Sequence, residues 1–272
     1  MPEPLESPLT TLDRVLRGSY LQKEQLARGT VAAPARRLIG LGLVLGGLYG
    51  LGLGAFAVFR GADRPDLQMF ASAAKVPLLF LLTLLVTFPS LYVFAALQRL
   101  PLGFRDTLRL LLIAIVVHLA VIASLAPVFA FFAASTRSYA FMLLLNVAFF
   151  AIGGLLGFMV LRRATHLMFA TTRSPAAAAA TREPAAAGAG DEPGAAATPH
   201  PAPPPFPRPS HGDQARRVLR VWCLVYGVVG AQMGWLLRPF LGAPELPFAW
   251  FRPLEDNFFV GVMRALGALF HR

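Results

Sequence analysis

The chain is short of charge, nearly free of cysteine and almost without lysine. Only 14% of its 272 residues are charged, where a soluble protein carries roughly a quarter. So few charges beside 56% hydrophobic residues exclude an ordinary soluble enzyme, whose surface needs a larger polar complement. A single cysteine, Cys223, excludes a disulfide scaffold. Lys23 and Lys75 are the two lysines, and no compact basic run with interleaved aromatics suggests a nucleic-acid groove. The five histidines, 118, 166, 200, 211 and 271, are scattered, with no His-Glu-x-x-His pair. A phosphate loop and a nucleophile elbow are also missing from the sequence. No catalytic residue, cofactor or metal set is therefore expected.

What is present is apolar length. Twenty-two phenylalanines and a mean hydropathy of +0.59 accompany five long apolar runs: Leu38–Phe59, Val76–Leu97, Leu110–Ala133, Tyr139–Leu161 and Val218–Leu237. Each is long enough to cross a bilayer, which takes about 20 helical residues. None contains Asp or Glu, and none alternates, so helices rather than barrel strands are the reading. The fold class is all-α: a polytopic bundle of five transmembrane helices, with amphipathic interfacial helices at both ends.

Residues 1–37 form an N-terminal segment in which Leu12, Val15, Leu16, Tyr20 and Leu26 recur at near-helical spacing among Arg14, Arg17, Lys23 and Glu24. This pattern reads as one amphipathic helix on the membrane surface, with a loosely ordered tail as the alternative. Residues 38–161 are a four-span block. Residues 162–217 read as a disordered tether, since ten of the 23 prolines fall between Pro175 and Pro209 among alanine runs. The fifth span occupies 218–241. Residues 242–272 then hold Phe248, Trp250 and Phe251, aromatics that favour the membrane boundary. They end in a short helix marked by Phe258, Phe259, Val262, Met263, Leu266 and Phe270, with Asp256 or Asn257 placed to cap it.

The basic excess, a formal charge of +11, is an orientation signal. With the N-terminus inside, 17 Lys and Arg lie on the inner side and eight on the outer. The positive-inside rule then puts the N-terminus and tether in the cytoplasm and the C-terminus outside, as expected for a bacterial inner-membrane protein.

The clearest pattern lies in the first span. Gly42, Gly46, Gly50 and Gly54 repeat every four residues, a stripe that drifts only about 40° per step. Gly230 and Gly234 form a shorter copy in the fifth span. Such stripes let backbones approach closely, which is how helices associate in lipid. The stripe serves either packing within the chain or an assembly surface for a membrane-protein partner or a second copy. Polar groups at depth are few: His118, Asn146 and Gln232. His118 reads as an interhelical hydrogen-bonding residue, or as part of an ion path. Pro77, Pro89 and Pro127 are expected to kink their helices. Trp235 and Arg238 mark the outer edge of the last span. Arg238 either snorkels or pairs with Glu245, Glu255 or Asp256 to fold the aromatic stretch onto the bundle.

Two blocks carry a resemblance: Lys75-Val-Pro-Leu-Leu-Phe-Leu-Leu-Thr-Leu-Leu-Val-Thr-Phe-Pro-Ser-Leu-Tyr92 and Gly230-Ala-Gln-Met-Gly-Trp-Leu-Leu-Arg-Pro-Phe-Leu-Gly242. They resemble an uncharacterised family of bacterial multi-span membrane proteins, some labelled as actin-binding proteins with a WASP-homology-2 segment. That motif takes a short helix and an LKKT-like basic strand, from which Leu21-Gln-Lys-Glu-Gln-Leu26 departs. The five-span layout is also similar to that of Yip1-type proteins. The resemblance implies a membrane architecture and no activity. The expected function is a non-enzymatic assembly or scaffold subunit of a membrane complex. The alternative is a permease or channel subunit for a small solute or ion, and an intramembrane enzyme has less behind it.

Overall fold

The computed structural model describes residues 7–27, 30–97, 103–170, 211–242, 247–253 and 256–270, whose regular structure is helical with no strand among them. The helices are α1 (Pro8–Leu16), α2 (Lys23–Ala27), α3 (Ala35–Phe59), α4 (Pro65–Leu97), α5 (Phe104–Ser124), α6 (Ala126–Ser135), α7 (Tyr139–Ala170), α8 (His211–Leu236) and α9 (Phe258–Phe270). Five spans are long and apolar enough to cross a membrane: α3, α4, α5 with α6, α7 and α8. The protein is thus an all-helical, multi-pass membrane protein.

The middle of the bundle is α5, where every residue from Leu110 to Val117 is buried. It packs against α3 and α7, and α4 packs along α3 and reaches α5 through the Phe80 ring on His118. Where one apolar run was expected, the third span is broken. Pro127 has no amide hydrogen to continue the ladder, so α5 ends at Ser124 and α6 restarts after Leu125. Pro77 and Pro89 instead sit within a continuous 33-residue α4.

The ends differ from their sequence reading. The N-terminal segment is two helices, because the chain turns at Gly18 in a left-handed conformation, φ 73°. Its Val15, Tyr20, Leu21 and Leu26 are buried in the bundle core rather than in lipid. The tether boundaries at 162 and 217 also shift. Helix α7 runs on to Ala170 and α8 begins at His211; the rest of the proposed tether, 171–210, lies outside the described residues. Asn257 Oδ1 accepts from Val260 N at 3.0 Å and so caps α9. This helix turns its small side inward: Ala265 is buried, whereas Phe259, Met263 and Phe270 are exposed.

Candidate functional site

Five of the eight buried polar or charged residues among those described lie on one stripe of α4. Gln68, Ser72 and Lys75 stand at i, i+4 and i+7, and Thr83 and Thr87 continue the same line, so all five lie on one helix face. All five are buried. Thr83 and Thr87 return their hydroxyls to the carbonyls of Leu79 and Thr83, both at 2.7 Å. They therefore cost the apolar interior little.

This stripe receives α8 and the loop after it. Trp222 Nε1 donates to the Thr87 carbonyl at 3.1 Å. Gly230 lies against Thr83 and Gly234 against Leu79, where an added Cβ would sit 3.5 and 3.9 Å away. Beyond the helix end the chain crosses a cis Arg238–Pro239 bond and its carbonyls turn to α4. Gln68 Nε2 donates to Pro239 O at 3.3 Å and Phe240 O at 3.2 Å, and Ser72 Oγ donates to Phe240 O at 2.5 Å. The Lys75 ammonium donates to Pro239 O at 3.2 Å and to Trp250 O, with the Phe251 ring 5.1 Å away. A buried ammonium is costly unless partners replace its water. Here two carbonyls and an aromatic face do so.

The outer edge of α8 adds a second hold. Arg238 Nη2 donates to Pro253 O at 2.6 Å, and its guanidinium stacks 4.0 Å from the Trp235 ring. Trp235 Nε1 donates to Asp256 O at 2.5 Å. Gln232 Oε1 accepts from Phe258 N at 3.4 Å, and Gly261 leaves the room that the Trp235 indole fills. The expected ion pair from Arg238 to Asp256 does not form, since Asp256 pairs with Arg264. Glu245 and Glu255 lie outside the described residues. The aromatic stretch is folded back all the same, by backbone carbonyls rather than carboxylates.

The remaining candidates lie elsewhere. Asn146 Oδ1 accepts from Tyr49 Oη at 2.9 Å and ties α7 to α3. His118 makes no interhelical hydrogen bond at Nε2, which is buried without a partner among the described residues. Its ring packs edge-on against Phe80 and Phe150, at centroid distances of 4.6 and 5.8 Å. Gly153 and Gly157 make the space for it, because a Cβ on Gly153 would fall 2.6 Å from His118 Cδ2.

The glycine stripe of α3 is spent within the chain. Gly46 lies on Pro77, Gly50 on the Ser72–Ala73 backbone and Gly54 on Met69. Gly42, at the start of the stripe, faces Leu119 of α5 instead. The 40° drift per step carries the stripe from one neighbour to the other.

The sequence reading passed over Gln68, Ser72 and Lys75. Their helical spacing was a usable signal. Compared with protein-family models, with curated proteins and with solved structures, the chain matches none.

Proposed function

We propose that the protein is a non-enzymatic assembly or scaffold subunit of a bacterial inner-membrane complex. The observation that carries this reading is the one-sided attachment of the fifth span. Its inner face is fixed along α4 and by the loop that follows, while Val221, Leu224, Val225 and Val228 on its other side are exposed. A helix held on one side and apolar on the other, entered from an Ala- and Pro-rich segment, is suited to carrying a second membrane helix. The resemblance to uncharacterised bacterial multi-span proteins supports the setting. The excess of 17 cations over eight supports a cytoplasmic N-terminus and an external C-terminus. A C-terminal phosphatase fusion is expected to be active and a C-terminal fluorescent fusion dark; the reverse pattern overturns the orientation.

Purification in mild detergent after cross-linking tests the function. The expected result is a reproducible partner set, or a second copy, joined through α8. A chain that stays alone and supports solute flux in liposomes by itself replaces this reading with the permease one. That second reading has its own observation: the third span breaks at Leu125, two turns beyond the unpaired His118 Nε2. Discontinuous helices and intramembrane ionisable groups accompany transport paths. Loss of flux in His118→Ala with assembly intact would favour it.

A further inference from the structure

A shallow apolar groove opens between the first turns of α3 and the middle of α4 and α5. Leu112 and Val116 form its floor, and Ile39, Leu43 and Leu81 stand at its mouth. Gly42 keeps it open: a Cβ there would meet only Leu119 Cδ1, at 3.5 Å. Every side chain lining the groove is apolar.

The rim beneath it is positive. Arg36 precedes Ile39 and Leu43 by three and seven residues, so it shares their face of α3. Arg105 stands in the same relation to Leu108 and Leu112 on α5. Both arginines are exposed. The nearby carboxylate, Asp106, is occupied by Arg109 at 3.2 Å and by the Val31 amide at 3.0 Å. Pro34 and Gly103 sit at the N-cap positions and give neither helix a side-chain cap, and the first turn of α3 has no acidic residue. Asp106 meets the dipole of α5 in its first turn, whereas Arg36 and Arg37 over the start of α3 reverse what its dipole favours. An external anion relieves that repulsion.

We propose that this groove and its rim bind one anionic phospholipid, with an acyl chain in the groove and the phosphate on Arg36 and Arg105. The bilayer supplies the chain, and the rim selects the headgroup. A zwitterionic lipid offers the same chains but brings its own ammonium to a positive rim.

The test uses the full chain released from vesicles of equal phosphatidylglycerol and phosphatidylcholine, with retained lipids counted by native mass spectrometry. Wild type should retain phosphatidylglycerol over phosphatidylcholine by about thirtyfold, from two cations at the surface. Arg36→Gln with Arg105→Gln should abolish that preference, and Arg36→Lys with Arg105→Lys should keep it. Equal retention by wild type, or a preference that survives the glutamine pair, overturns the proposal. Leu43→Trp leaves the arginines in place and covers the mouth, so it should lower the lipid count whether or not the glutamine pair folds. An unchanged count overturns the groove. Excess glycerol phosphate, which lacks acyl chains, should not displace the lipid; displacement also overturns it.

Discussion

The two faces of α4 hold their neighbours by different physics. Toward α3 the contact is one of shape: Gly46, Gly50 and Gly54 bring two backbones together, and no side-chain hydrogen bond is needed. Toward α8 the contact is one of donors and carbonyls, from Trp222 at one end to Lys75, Ser72 and Gln68 at the other. Burial follows the same division. In the most apolar stretch of the first span 56% of residues are buried, and in that of the fifth span only 6%. A seam of shape admits no partial loss, because one added methyl group strikes backbone. A seam of hydrogen bonds is divisible, since each bond contributes about 1 kcal/mol net. The α3–α4 pair is therefore the fixed part of the molecule, and the fifth span is the part that substitutions can loosen by degrees.

Three substitutions and one control test this contrast. The largest effect is expected from Gly50→Leu, whose Cβ would fall on the Ser72 carbonyl and the Ala73 Cα. Overpacking against backbone should cost about 3 kcal/mol or more, read as a lower melting temperature in detergent. Gly40→Leu, which meets nothing within 4 Å, should leave that temperature unchanged; equal effects at the two positions would remove the seam of shape.

Lys75→Met comes next. It takes the donor from the Trp250 carbonyl, a loss of about 2 kcal/mol for a bond to a charged group. Hydrogen exchange should rise across residues 247–253 while α3 and α5 keep their protection. A rise spread evenly over the bundle would show that the outer loop is not a separate unit.

Trp222→Phe should have the smallest effect, about 1 kcal/mol for one neutral hydrogen bond. With a protease site placed between residues 171 and 210 and then cut, the fragment from 211 onward should stay bound in wild type. It should leave more readily in Trp222→Phe, and most readily when Lys75→Met is added. Retention unaffected by either change would break the comparison.

Much of the architecture was legible because hydropathy is a local property. Five apolar runs mark five spans, and Pro127 marks the break in the third. The glycine spacing was legible too, but not its use. A four-residue repeat says that a backbone comes close, and only the fold says that it belongs to α4 and, at Gly42, to α5. Lys75 was hidden for a related reason. A charge beside an apolar run looks like a span boundary, and its carbonyl partners lie more than 160 residues further along the chain. The surroundings of His118 were not legible either: its Nε2 has no partner among the described residues, and the Phe80 and Phe150 rings pack against the imidazole.

The sequence by itself determined that this chain crosses the membrane as helices, since apolar length and an unsatisfied backbone in lipid leave no other solution. It also placed the small residues through which helices can approach. Tertiary structure alone decided which helix meets which, that the glycine stripe closes within the chain, and that a polar line on α4 holds the fifth span and its outer loop. Those outcomes depend on pairs of groups far apart in the chain, and periodicity in one segment carries no information about the segment that will face it.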